Sequence, residues 1–352
     1  MSPEMTTTDL HAAKLPASAP LLAVVVAGGL AALLGLLLGW GPVAIIVVGW
    51  ILLVIALPTW SAAVEGRRRS VDRLVTLVVW STFALALVPL VSLVFEVVSK
   101  GAGILSVEFF TYDMRGVLGE GGGIYHALMG TLVITLVATV IAVPIGVMAA
   151  IYLVEYGAGR RTARVITFLV DVMTGIPSIV AGLFAFALFT LVFGPATRMG
   201  FMGSVALAVL MIPIVVRSTE EMLKLVPAEL REAAYALGVP RWRTITKVVL
   251  PTAFGGIATG VTLAIARVAG ETAPLLLILG TARVANWNPF DGAVQTLPVY
   301  IFQSLGQTTH FKYGEIWTDR VWGAALFLIL IVMSLNLLAR VVGKAFAPTT
   351  GR

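Results

Sequence analysis

Two ionisable residues lie four positions apart in an otherwise apolar stretch of the chain. Arg267 and Glu271 belong to the stretch 257–279, which is long enough to cross a bilayer as a helix. In one continuous helix the two side chains share a face and can pair. Ionisable groups inside a membrane are costly and often functional, and a planar guanidinium suits the oxygens of an oxyanion. These residues alone leave an anion site and a self-neutralising structural pair equally open.

A second apolar stretch, 165–193, contains residues that bend helices. Gly175, Pro177 and Ser178 lie inside it, and the proline predicts a kink because it lacks a backbone N–H. A gating role for this kink is a hypothesis. Asp171, one turn earlier, is predicted to be a structural partner for another side chain.

Arg217 stands where the apolar stretch 201–216 meets a polar segment. A long basic side chain at the end of a membrane helix commonly reaches to the surface as an anchor. Its position by itself favours the anchor over a place on a transport path.

Composition places these stretches in a membrane. Of 352 residues, 59% are hydrophobic and only 12% charged, so runs of bilayer length recur along the chain. The runs lack the period-2 alternation of a transmembrane barrel, which predicts an all-α polytopic membrane protein. Eight spans are predicted, at 21–40, 43–57, 74–98, 124–153, 165–193, 201–216, 257–279 and 321–338.

The basic residues predict how the spans are oriented. Most of the 24 Lys and Arg lie in the segments 61–73, 155–164 and 217–256 and near the termini, which all fall on one side of an eight-span topology. The positive-inside rule therefore places both termini and 217–256 in the cytoplasm. This bias also accounts for the net charge of +6, so no nucleic-acid partner is predicted. Residues 1–19 are predicted to be disordered, 20–58 to form a hairpin of two spans, and 346–352 to form a cytoplasmic tail.

The segment 217–256 is predicted to hold two short amphipathic helices. The first, 228–237, places Leu230, Ala233, Ala234 and Leu237 on one face. Gly238 suits the left-handed position after a helix, and Pro251 marks the end or a kink of the second helix, 241–250. Such a segment exceeds what a simple connection needs, which favours docking to a cytoplasmic partner.

A motif in this segment resembles a known family. Glu232, Ala233 and Ala234 are followed at fixed spacing by Gly238 and then by Leu250 and Pro251. This pattern is similar to the EAA loop of ABC-importer permeases, although Val248 stands where isoleucine is usual. In that family the loop is the coupling helix that fits a groove of the ATPase subunit. The resemblance therefore assigns ATPase coupling to these six motif residues.

Three further strings resemble the phosphate-specific transport family of these permeases, in its PstA-type branch. They are 171–184, 211–220 and 266–275, of which the last contains Arg267 and Glu271-Thr-Ala-Pro. The resemblance covers residues 72–345 as a permease core of six spans and implies a type I ABC-importer transmembrane domain. The hairpin 20–58 lies outside the usual six-helix pattern.

The resemblance implies a membrane subunit that moves inorganic phosphate across the bacterial plasma (inner) membrane. It implies a sister permease (PstC-type), an ATPase dimer (PstB-type) that binds ATP and Mg²⁺, and a periplasmic or lipid-anchored phosphate-binding protein (PstS-type). It also places Arg267, Glu271 and Arg217 along the anion's path. The chain itself has no P-loop string, no cysteine and no His cluster, so no catalytic residue, cofactor or metal is predicted in it.

The sequence leaves two other functions open. One is a permease of the same fold for sulfate or molybdate. The other is a membrane scaffold or sensor without transport, which uses the segment 217–256 to bind a signalling partner.

Overall fold

The computed structural model describes residues 14–195 and 197–345, and every regular element within them is helical. The predicted all-α fold is confirmed. The predictions for residues 1–13 and for the tail 346–352 fall outside the described residues. In chain order the α-helices are α1 Ala19–Leu38, α2 Pro42–Val64, α3 Arg67–Gly101, α4 Val107–Thr111, α5 Tyr125–Ile151, α6 Arg161–Gly175, α7 Ser178–Phe193, α8 Gly200–Lys224, α9 Ala228–Ala236, α10 Arg241–Thr244, α11 Leu250–Ala269, α12 Ala273–Ile278, α13 Leu297–Leu305 and α14 Gly314–Ala345.

Within the described residues, seven helices are long and apolar enough to cross a membrane, and an eighth span results if the bent pair α6–α7 counts as one. Two of them continue through a π-helical turn. The turn Tyr152–Tyr156 extends α5, and the turn Ile245–Val249 joins α10 to α11. The multi-spanning architecture predicted from composition is confirmed.

The interruption at Pro177 is much sharper than a kink. The helices α6 and α7 meet at an angle of 108°. Ile176, which precedes the proline, is extended with ψ 127°, as the proline ring requires of its neighbour. Gly175 is the last residue of α6 and Ser178 the first of α7.

The helix expected over 257–279 is also divided, and this prediction was wrong. Helix α11 ends at Ala269, residues 270–272 are not helical, and α12 begins at Ala273. Pro274 has no N–H to continue α11, but it fits the first turn of α12, where that N–H would have no helical partner.

Pro251 was predicted to mark either the end or a kink of the second helix of the segment 217–256, and the structure excludes the end. One helix of 29 residues runs from Arg241 to Ala269. The π-helical turn Ile245–Val249 immediately precedes Pro251, and such a turn rearranges the backbone hydrogen bonds where a proline N–H is missing. The first turns of this helix are therefore rigidly continuous with a membrane span.

Small residues let α5 and α8 approach closely. On α5 the buried side includes Ala138, Ala142 and Gly146, spaced four residues apart. A Cβ at Gly146 would come within 2.7 Å of Val215 Cγ1 on α8. Because the two backbones are this close, a displacement of α5 must also displace α8.

The chain divides into two compact units, Met1–Val94 and Phe95–Arg352. In the first, α1 buries Ala19, Ala23, Ala27 and Ala31 in its contact with α2. At the end of α2, Glu65 accepts hydrogen bonds from Arg73, the Leu15 N–H and Ser61. The hydrogen bond from Arg73 lowers the pKa of Glu65 to about 2.

Candidate functional site

The turn between α9 and α10 is built on one left-handed glycine. Gly238 has φ +75°, as its predicted position requires. The Val239 N–H donates to the Ala234 carbonyl at 3.1 Å, and the Gly238 N–H donates to Tyr235 at 2.9 Å. These two bonds form a Schellman motif, which ends α9 and directs the chain into α10.

Most of the side chains on this turn are exposed. Glu232 and Ala233 are exposed, and only Ala234 of the predicted apolar face is buried. Leu237 is 83% exposed and Trp242 57% exposed. We call Glu232, Ala233, Leu237 and Trp242 the coupling surface. Exposed leucine and tryptophan with polar neighbours are typical of a surface that a partner covers.

Leu250 and Pro251 lie apart from the coupling surface. Both belong to the continuous helix from Arg241 to Ala269, at its junction with the π-helical turn. Leu250 packs against a buried cluster that includes Val216, Leu223 and Val249. The two residues therefore connect the turn to the membrane-embedded part of the chain.

A buried ion pair fixes α9 to the end of α5. Glu155 lies in the π-helical turn after α5, and its side chain is only 4% exposed. Its Oε1 accepts from Arg231 Nη2 at 2.9 Å and from Arg231 Nε at 3.1 Å. Arg231 also donates to the carbonyl oxygens of Val226 at 2.7 Å and Leu223 at 2.9 Å. A guanidinium with four such contacts holds α9 in one orientation.

A second arginine strengthens the same connection. Arg241 Nη2 donates to the main-chain oxygen of Glu155. Its guanidinium also lies over the ring of Tyr156, 5.0 Å from the centroid. Sequence reasoning missed Glu155, because 76 residues separate it from Arg231 and the chain order shows no link. The only sign of its role in the sequence is its position, because Glu155 is a carboxylate at the end of an apolar run.

Arg217 lies inside α8 rather than at its end, and acidic side chains surround it. It pairs with Asp171 of α6 and, at 2.7 Å, with Glu220. Glu220 in turn pairs with Lys224 at 2.7 Å. Asp171 is thus a partner of Arg217, as its predicted structural role requires. Two acids beside one guanidinium leave it little positive charge for an anion.

Arg267 and Glu271 do not share a helix. Arg267 lies in the last turn of α11, whereas Glu271 follows Gly270 beyond its end. Among residues 14–195 and 197–345 the two side chains form no ion pair with each other, so the expected pairing was wrong. Arg267 is exposed and Glu271 half-buried. The break between α11 and α12 separates the two charges that a continuous helix would have joined.

The chain matches a known family of membrane permeases. The profile of the family described as binding-protein-dependent transport system inner membrane component matches residues 142–352. The phosphate transport system permease protein PstA of Mycobacterium leprae (strain TN) is 49% identical over 277 residues, which cover 78% of this chain and 89% of that protein. The PstA protein of Yersinia pestis is 41% identical over 282 residues, 79% of this chain and 92% of that protein. The chain belongs to the PstA group of this permease family.

A solved structure shows the fold of this PstA-group permease. A chain of a bacterial alginate ABC transporter, crystallised with its pentasaccharide-bound periplasmic protein, aligns with a TM-score of 0.55. The alignment covers 79% of this chain and 96% of that chain at 14% identity. The predicted type I ABC-importer fold is confirmed.

The family match includes the connection to α9 but not the first helices. It begins within α5 and contains Glu155, α9 and Arg267. The helices α1 and α2 precede it. The PstA-group permease therefore has its coupling surface and its two membrane arginines inside the matched region.

Proposed function

We propose that this membrane permease carries inorganic phosphate into the cytoplasm as a subunit of an ATP-driven importer. The observation that carries the proposal is the 49% identity to a phosphate transport permease over 89% of that protein's length. A likeness of this extent includes the α11–α12 region as well as the coupling surface. Neither sulfate nor molybdate, nor a scaffold without transport, has a comparable observation in its favour.

Coupling to ATP is proposed to occur at the coupling surface. A partner ATPase dimer binds ATP and Mg²⁺, and one of its subunits contacts Leu237 and Trp242. Two rigid connections then transmit movement of the turn between α9 and α10 to the membrane helices. One is the Glu155–Arg231 pair into α5, and the other is the continuous helix from Arg241 to Ala269. Both connections support alternating access by displacement of helices as rigid bodies.

The further partners follow from the same proposal. A sister permease completes the pathway, and a periplasmic or lipid-anchored binding protein delivers phosphate on the opposite side. Both termini lie in the cytoplasm, as the distribution of basic residues predicts.

Of the three residues predicted on the anion's path, Arg267 has the strongest support. Its guanidinium is exposed, whereas Arg217 is already held by Asp171 and Glu220. Glu271 is proposed to accept the hydroxyl proton of a protonated phosphate, which selects against sulfate. The 108° break at Gly175, Pro177 and Ser178 is proposed to let α6 and α7 move separately during gating.

The test is reconstitution of the purified complex in liposomes with ATP on the ATPase side. We expect uptake of radiolabelled phosphate that depends on ATP and resists competition by excess sulfate or molybdate. Equal competition by either anion would contradict phosphate as the substrate. Purification of the chain without any ATPase would favour the scaffold instead.

A further inference from the structure

A small polar cavity lies at the end of α5 that is remote from the coupling surface. It measures about 150 Å³ and is lined by residues that include His126, Arg283, Gln295, Tyr300 and Gln303. A water takes about 30 Å³ in the liquid, so the space holds roughly five waters or one small anion with water. His126 lies in the first turn of α5 and Glu155 just beyond its last, which places the cavity on the opposite side of the permease.

Two buried side chains of this cavity have polar atoms without a partner. His126 is 1% exposed and Tyr300 3% exposed, and their rings meet edge to face at 5.4 Å. Among the described residues, Gln295 lies beside His126 and Ser304 beside Tyr300, but neither nitrogen of His126 nor the hydroxyl of Tyr300 makes a hydrogen bond of good geometry with them or with any other group. A buried polar atom without a partner costs free energy, so three of them around one cavity indicate a ligand that bonds to them.

The cavity wall is rigid where it contacts α5. The Leu297 N–H donates to Thr131 Oγ1 at 2.8 Å, which fixes the start of α13 against α5. A Cβ at Gly130 would lie 2.0 Å from the Gln295 carbonyl oxygen, so the two backbones touch. His126 and Tyr300 are therefore held in place before any ligand arrives.

The lining favours an anion because it consists mainly of hydrogen-bond donors. Gln295 Nε2 donates to Gln303 Oε1 at 2.7 Å, which leaves the amide group of Gln303 free to donate. Arg283 adds a positive charge, and none of the lining residues carries a carboxylate. Burial raises the pKa of Tyr300 to about 12, so its hydroxyl keeps a proton to donate at neutral pH.

Two charged groups lie just outside the lining. Arg320 is near Tyr300 and donates to the carbonyl oxygens of Gly119 and Gly121. Asp113 is near His126, and its Oδ1 accepts from the Arg115 N–H at 3.1 Å. With Arg283 and Arg320 against Asp113, the surroundings remain positive.

We propose that this cavity binds inorganic phosphate on the outer side of the permease, with Tyr300, His126 and Arg283 as its ligands. The proposal rests on the proposed function for the identity of the anion. The site would receive phosphate before it reaches Arg267. The hydroxyl of a protonated phosphate has an acceptor available in the unpartnered nitrogen of a neutral His126.

The test is binding of radiolabelled phosphate to the purified complex in nanodiscs without nucleotide. The variant is Tyr300→Phe, which removes only the unpartnered hydroxyl, and its matched control is Tyr313→Phe outside the cavity. We expect Tyr300→Phe to weaken phosphate binding about tenfold or more, because hydrogen bonds to charged groups are among the strong ones. The control should bind as the unaltered protein does. Unchanged binding by Tyr300→Phe overturns the proposal.

Thermal unfolding of the same samples separates binding from a structural role. If the hydroxyl serves only the ligand, Tyr300→Phe is as stable as the unaltered protein without phosphate and gains less stability when phosphate is added. An equal loss of stability with and without phosphate overturns the proposal, because it indicates a structural hydrogen bond. Arg283→Gln provides a second variant with an exposed side chain, and it should also weaken phosphate binding.

Measurements of uptake and of binding distinguish failure of the cavity proposal from failure of the proposed function. If the unaltered complex takes up phosphate while Tyr300→Phe binds it normally, the cavity proposal fails and the proposed function stands. If the unaltered complex transports sulfate instead, and sulfate binding depends on Tyr300, the phosphate assignment fails in both proposals.

Discussion

Arg217 and Arg267 both lie in apolar helices, but only Arg217 has acidic side chains beside it that neutralise its charge. Arg217 is held by two carboxylates, Asp171 and Glu220, so its charge is neutralised close to where it stands. Arg267 has an exposed side chain at the end of α11, and its expected partner Glu271 lies beyond the helix end. At the scale of single residues, Arg267 is the better candidate to meet an anion.

The substitution Arg267→Gln tests this assignment. It removes the charge and leaves a shorter, neutral side chain that can still form hydrogen bonds, so we expect phosphate uptake by liposomes to fall at least about tenfold. The control is Arg115→Gln, whose side chain is exposed in the 105–124 segment. Undiminished uptake with normal amounts of protein in the membrane would contradict a role for Arg267 on the anion's path.

At the scale of elements, one buried carboxylate, that of Glu155, links α9 to the end of α5. Glu155 binds Arg231 through its side chain and Arg241 through its main chain. A buried pair of this kind is not evidence of high stability by itself, because removing the charges from water is costly. Its consequence is geometric, since α5 and α9 cannot move independently while the pair is intact.

The substitution Glu155→Gln should therefore uncouple ATP hydrolysis from transport. It leaves the Arg231 guanidinium without its counter-charge, at a cost on the order of 1–3 kcal/mol. We expect ATPase activity of the reconstituted complex to persist while phosphate moved per ATP falls several-fold. Glu229→Gln, in the exposed first turn of α9, is the matched control and should leave the ratio unchanged. A proportional loss of both activities in Glu155→Gln would refute uncoupling.

Gly238→Ala tests the turn itself. At φ +75° an alanine side chain clashes with its own backbone, at a cost of about 1–2 kcal/mol. We expect the coupling surface to be displaced and ATPase affinity to fall, which can be measured by co-purification and by ATP-driven uptake. Gly41→Ala is the control, since Gly41 has φ −71° and open space for a Cβ. Normal assembly by Gly238→Ala would show that the turn tolerates rearrangement.

At the scale of the whole molecule, the distribution of basic residues predicts which side faces the cytoplasm. The coupling surface and the segment near Phe311 should then lie on opposite sides of the membrane. The chain has no cysteine, so single introduced cysteines report their own accessibility. Leu237 and Phe311 are suitable positions because they are 83% and 97% exposed.

In cells whose outer envelope has been removed and whose plasma membrane is intact, a membrane-impermeant maleimide should label Phe311→Cys and not Leu237→Cys. In inverted vesicles from cells that make the permease without its ATPase, which would otherwise cover Leu237, the labelling should reverse, with the cysteine-free chain as the blank. Labelling of Leu237→Cys from outside would overturn the predicted orientation and, with it, contact of the coupling surface with a cytoplasmic ATPase.

The fold class, the turn after α9 and the motif in the segment 217–256 all follow from local properties of the sequence. The apolar runs determine an all-α membrane protein, because lipid demands that each segment satisfy its own backbone hydrogen bonds. Gly238 determines the turn after α9, since the left-handed conformation there suits glycine. The spacing of Glu232, Ala233, Ala234 and Gly238 predicts an ATPase-coupling loop, and it can do so because these residues are neighbours in sequence.

Only the tertiary structure decided how the charges are arranged. The apolar run 257–279 predicted one helix through Arg267 and Glu271, but Pro274 fits better at the start of α12, and the break separates the pair. The Glu155–Arg231 pair and the His126–Tyr300 cavity join residues far apart in the chain, and hydropathy and spacing carry no information on such contacts. Which charges meet depends on where helices end and how closely they pack, and these are properties of the folded chain.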